Sequence, residues 1–140
     1  MNLSAVDREH QIFDAVTASA LAARRFVGEI LHQRSAPNSV VVDFRLVASE
    51  LVSNVIEHGD GRGLTVFVDF SDHHWWEICV VSGTTPSSSK MQQPNEWTIA
   101  GDEDKTGRGL GIVRHLMDEV ITTVSEGLVS IRCRRRRTET

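Results

Sequence analysis

Glu50, Asn54 and His58 recur at every fourth residue, a spacing that on a helix stacks them along one face. Their chemistries differ in a useful way. A carboxylate can accept a proton from a nucleophile, an amide oxygen suits Mg²⁺, and the imidazole stands beside the glycine turn Gly59-Asp60-Gly61-Arg62-Gly63. A second cluster, Gly107-Arg108-Gly109-Leu110-Gly111, has a plainer mechanism: glycines let backbone approach a ligand while the free N–H groups of a starting helix point at an anion. Phosphate is the natural guest, and Lys105 and Arg108 add positive charge where it would lie. Each cluster also has a bland alternative, a solvated helix face for the first and a turn that needs glycine for shape alone for the second.

Elements able to position these groups are legible along the chain. Residues 3 to 12 have weak strand character, and an Ala-rich helical pattern runs from Ala15 to Ile30 until Pro37 and Asn38 end it. A second helix follows, capped by Asn38 or Ser39, with Phe44, Val47, Ala48, Leu51 and Val55 as its buried stripe and Asn54 on its polar face. Leu64 to Phe70 and Trp75 to Val81 read as a hairpin, with one of Trp75 and Trp76 inside and one outside. The polar stretch Thr84 to Thr106, which holds Pro86, Pro94 and Trp97, is longer than a compact domain leaves without purpose and reads as a lid or an insert. The glycine cluster opens a third helix with Leu110, Val113, Leu116, Met117 and Val120 inward, and a hairpin around Glu126-Gly127 closes the chain. Grouped helices and hairpins predict an α+β fold, a two-layer α/β sandwich with helices on one face of a mixed, mostly antiparallel sheet.

The 140 residues predict one domain, spanning 1–140. A hydrophobic fraction of 40% with 24% charged residues is that of a soluble globular protein. No run is long enough to span a bilayer and the N-terminus has no secretory pattern, so the expected location is cytoplasmic, with no membrane partner. The net charge of −4 argues against nucleic acid as a direct partner. The basic run of Arg132 and Arg134 to Arg137 reads as a solvated end, with an acidic partner as the alternative. Cys79 and Cys133 are expected to be free thiols.

Glu50-Leu51-Val52-Ser53-Asn54-Val55-Ile56-Glu57-His58-Gly59 resembles the asparagine-containing helix motif of the histidine-kinase-like (GHKL) ATPases, the superfamily of gyrase, heat-shock chaperones, histidine kinases and mismatch-repair ATPases. Gly107-Arg108-Gly109-Leu110-Gly111-Ile112 looks like its second glycine box, and the likeness runs over about residues 10 to 133. Within the superfamily, the short length and the segment Leu116-Met117-Asp118-Glu119-Val120 are most similar to the anti-sigma-factor serine/threonine kinases of bacterial partner-switching systems. The resemblance implies ATP and Mg²⁺ as cofactors, with Glu50 as general base and Asn54 as the Mg²⁺ residue. It places His58, Gly59 and Gly83 around the nucleotide, and Thr106, Gly107, Arg108, Gly109, Leu110 and Gly111 on its phosphates, with 84–106 as the ATP lid. The partners it implies are a sigma factor and an anti-sigma-factor antagonist protein; a homodimer is one assembly it allows, and the oligomeric state is left open.

One position departs from the pattern. The family carries an aspartate two residues before the glycine of its first glycine box, where the carboxylate accepts a hydrogen bond from the adenine amino group. Counting back from Gly83 puts Val81 there, and Ser82 points to the opposite face of the strand. The functions that follow are an ATP-dependent regulator that binds a sigma factor and phosphorylates its antagonist, or a nucleotide-independent binding module of the same fold. A detached histidine-kinase catalytic domain is a third.

Overall fold

The structure, a computed structural model, describes residues 6–58, 61–83 and 105–138, with the backbone alone over 105–110. Eight elements follow in order: β1 (Arg8–Phe13), α1 (Ala18–Gln33), α2 (Asn38–His58), β2 (Leu64–Asp69), β3 (Trp75–Gly83), α3 (Lys105–Leu116), β4 (Glu119–Ser125) and β5 (Leu128–Arg136). The strands form one five-stranded sheet in the order β1-β2-β3-β5-β4, and every pairing between them is antiparallel. The architecture is α+β, as the grouped elements predict.

α1 buries Ser19, Ala23, Val27 and Leu31, one residue per turn, and this stripe packs along α2. It ends at Gln33, and past the cap residue Arg34 the positive φ of Ser35, 61°, brings the Ala36 N–H back to the Leu31 carbonyl at 3.0 Å, the C-terminal closure usually made with glycine. α2 starts one turn later. The Pro37 carbonyl accepts the first bonds from the Val40 and Val41 N–H groups, so Asn38 already lies inside the helix instead of capping it. A proline in front of a helix sacrifices no donor the helix could have used.

The strands alternate. Leu64, Val66 and Val68 of β2 and Ile78, Val80 and Ser82 of β3 are buried toward the helices, whereas Phe67, Cys79 and Val81 line a shallow depression on the outer face. The core lies between this inner face and the helices, centred on Phe44, Leu51, Ile78 and Ile131, each fully buried. β4 and β5 turn through Glu126 and Gly127, both at positive φ (51° and 81°), which the two-residue hairpin turn of matching twist requires.

β1 is an edge strand, exposed at every residue except Phe13. Its start is held by Arg34 at the end of α1, which donates to both Asp7 carboxylate oxygens at 2.7 and 3.1 Å and lies over the Phe70 ring. At the other end of the chain, the arginine run is not a solvated tail. Arg134 donates to Glu77 at 2.9 Å, Arg135 pairs with Asp43 of α2, and the Arg137 guanidinium lies 3.8 Å from the centre of the Trp76 ring. Trp76 is buried while Trp75 stands outside beneath Arg134 and Arg136, so the pair divides as expected. Cys133 points into the core and Cys79 to the outer face, both as free thiols, and burial pushes both up in pKa. No helix among the described residues is long and apolar enough to cross a membrane.

Candidate functional site

α2 carries the first cluster at the end away from Pro37. Its buried stripe is wider than the sequence spacing suggests, because Val40, Val41, Val52 and Asn54 join the expected apolar positions. Asn54 therefore does not occupy a solvated face. It is 2% exposed, and neither its amide oxygen nor its amide nitrogen has a hydrogen-bond partner among the described residues. Leaving such a group unpaired costs about 1–3 kcal/mol, and folded proteins rarely tolerate it without a reason. An orphaned amide oxygen fits Mg²⁺, which takes one or two protein oxygens and keeps several waters. Among the described residues no three or more His, Cys, Asp or Glu side chains gather into a metal site.

One turn before Asn54, Glu50 is half-buried. Burial pushes its carboxyl above the usual range, opposed by the charge of Arg24. A carboxylate so placed is a better proton acceptor than an exposed one. One turn after Asn54, His58 is also half-buried. Its Nε2 lies 3.6 Å from Glu57 Oε1, too long for a hydrogen bond, and has no other partner among the described residues. The helix thus presents an acid-base group, an amide and an imidazole over two turns, as their spacing predicts.

β3 supplies a residue that the sequence motif missed. Ser82 is 3% exposed on the helix-facing side of the sheet, and its hydroxyl has no partner among the described residues. Val81 points to the outer face, where it lines the same depression as Arg8, Phe67 and Cys79. The side chain that β3 turns to the helix-facing side is thus Ser82, and Val81, two residues before Gly83, lies on the opposite face, as strand alternation predicts. The signal was the phase of the strand: Ile78 and Val80, its apolar inward residues, extend to position 82 and not to 81. Gly83 ends β3, and its missing side chain lets the Arg62 guanidinium lie 2.8 Å from where a Cβ would stand.

The glycine box lies within α3 and not ahead of it, since the helix begins at Lys105. The first four N–H groups of a helix, counted from its cap, have no partner within it, so Thr106 and Gly107 carry two of the free donors. Gly109 and Leu110 continue the helix, and Gly111 is buried. Gly59 and the expected lid up to residue 104, with Trp97, lie outside the described residues.

A family profile described as "Histidine kinase-like ATPase domain" matches residues 13–134. No match is found among curated proteins. Among solved structures, the RsbU and RsbW domains of Rv1364c from Mycobacterium tuberculosis are similar, with a TM-score of 0.67 and 21% identity over 93% of this chain. The match takes in 32% of that chain, so the present chain spans about a third of its length. The SiaB-SiaC complex from Pseudomonas aeruginosa gives a TM-score of 0.65 at 14% identity, covering 89% of this chain and 88% of that one. At such identities the likeness is one of fold.

Proposed function

Because the chain belongs to the histidine kinase-like ATPase domain family, we propose that it is an ATP-dependent regulator of the anti-sigma-factor type, which binds a sigma factor and phosphorylates a serine or threonine of an antagonist protein. The observation that carries this reading is the orphaned amide of Asn54, 2% exposed with both polar atoms unpaired among the described residues. A binding module that used no nucleotide would have no reason to keep that amide in its core, where leucine would fit at less cost.

In this reading Asn54 holds Mg²⁺ and the N–H groups at the start of α3 hold the phosphates, with Gly107, Gly109 and Gly111 keeping that backbone open to approach. When bound, Mg-ATP would supply the γ-phosphoryl group, its bond to the β-phosphate breaking as the new P–O bond to the hydroxyl forms, with ADP as the leaving group. Glu50, kept basic by partial burial, accepts the proton of the attacking hydroxyl, and His58 borders the nucleotide from the next turn. Support for a protein partner comes from the neighbours in fold, one of which is a complex between two proteins, SiaB and SiaC.

The test is phosphoryl transfer from labelled ATP to candidate antagonist proteins, with Glu50→Gln beside wild type. Transfer by wild type, with retained nucleotide binding and about 10²- to 10⁴-fold slower transfer in Glu50→Gln, is the expected result. Equal transfer rates would remove Glu50 from its role.

A further inference from the structure

We propose that the groove between α1 and the first half of α2 is a docking surface for an acidic, amphipathic segment of a partner protein. The groove, about 380 Å³ in volume, has Gly28 and Val41, both buried, as its floor, and Arg25, His32 and Arg45, all exposed, on its walls. Glu29 is the one carboxylate among its lining residues. None of these four titratable side chains makes a hydrogen bond or an ion pair among the described residues. Two guanidiniums thus share one concave surface, and no carboxylate is paired with either. Gly28 shows how the sequence brings them there. Glycine is a poor choice inside a helix. Here it opens a notch: a Cβ would stand 2.7 Å from Arg45 Cδ and 3.2 Å from its Nε, so the Arg45 stem lies against the α1 backbone, one turn after Arg25. Bringing a second cation into a cationic groove is unfavourable unless an anion joins the two.

Protein carboxylates suit this pair better than a free phosphate does. Leu21, one turn before Arg25, and Val42, three residues before Arg45, are exposed beside the groove on the same helix faces, and a phosphate has no use for apolar surface. A segment with aspartate or glutamate between apolar residues uses both features. Its carboxylates meet the guanidinium forks, and its apolar residues cover Leu21 and Val42. Arg45 precedes Asn54 by nine positions on α2, about 14 Å along the axis, so this groove and the nucleotide site can be filled together.

Fluorescence anisotropy of a labelled helix-forming peptide with glutamates and leucines on one face, titrated with the full chain, tests this. A peptide with lysine in place of each glutamate serves as control, and thermal melting verifies that every variant folds. Wild type should bind the glutamate peptide and not the lysine peptide, and raising salt from about 20 to about 200 mM should weaken binding by about tenfold. Arg25→Glu/Arg45→Glu should lose at least about tenfold for the glutamate peptide and gain the lysine peptide. Gly28→Ala, which displaces the Arg45 stem and keeps both charges, should weaken the glutamate peptide by about threefold. Failure of folded wild type to bind the glutamate peptide overturns the proposal, as does equal affinity in wild type and the charge-reversed variant. Complete displacement of the peptide by inorganic phosphate at matched ionic strength also overturns it, leaving a small-anion site in its place.

Discussion

Asn54 on α2 and Ser82 on β3 bury their polar side chains in the same interior, between the helices and the sheet, and neither finds a hydrogen-bond partner among the described residues. Two orphaned groups on adjacent elements are costly to a ligand-free protein. Replacing one by an apolar residue of similar volume removes the cost without opening a cavity. Asn54→Leu is thus expected to raise the stability of the ligand-free protein by about 1–3 kcal/mol, measured by denaturant unfolding. A loss of stability would mean that the amide is satisfied in solution.

Glu50 links the site to pH. Burial raises its folded pKa above the ordinary value near 4.5, so the native state holds the proton more tightly than the unfolded chain. The sign follows: the charged form is disfavoured in the fold, and stability drops as pH rises from about 4.5 through the folded pKa. Glu50→Gln should melt higher than wild type at pH 7, and the difference should shrink toward zero below pH about 4.5. Melting curves across that range decide it, and a variant less stable at pH 7 would show that the carboxylate is stabilised in the fold.

Gly28 and Arg45 offer a test of the helix layer. A Cβ on Gly28 would stand 2.7 Å from Arg45 Cδ and 2.9 Å from its Cγ, but the Arg45 side chain is exposed and free to swing outward. Alanine is the better helix former by about 1 kcal/mol. Gly28→Ala should therefore leave stability unchanged or raise it by up to about 1 kcal/mol in denaturant unfolding. A loss greater than that would mean the Arg45 stem is fixed across α1.

Much of this arrangement is legible in the sequence, and the remainder is hidden for physical reasons. The stripe Phe44-Val47-Leu51-Val55 marks α2, and Glu126-Gly127 marks the last hairpin, because both signals are local. β1 is faint because an edge strand exposed on nearly every residue needs no apolar alternation. The arginine run looks like a tail because its partners, Glu77, Asp72 and Asp43, lie 57, 62 and 92 residues away in sequence. Asn54 reads as surface because a polar side chain is ordinarily solvated, and nothing local tells that α2 is buried over more than one stripe. Ser82 draws no attention in the sequence, because its burial follows only from the pleat of β3 that Ile78 and Val80 set.

The central claim is that Asn54 serves a bound Mg-nucleotide, and the most direct test is calorimetric titration of wild type and Asn54→Ala with ATP in the presence and absence of Mg²⁺. The account expects wild type to bind Mg-ATP more tightly than ATP alone. The folded variant should lose at least about tenfold in Mg-ATP affinity, together with most of the Mg²⁺ dependence. Equal Mg-ATP affinity in the two proteins, or no binding by folded wild type, would contradict it.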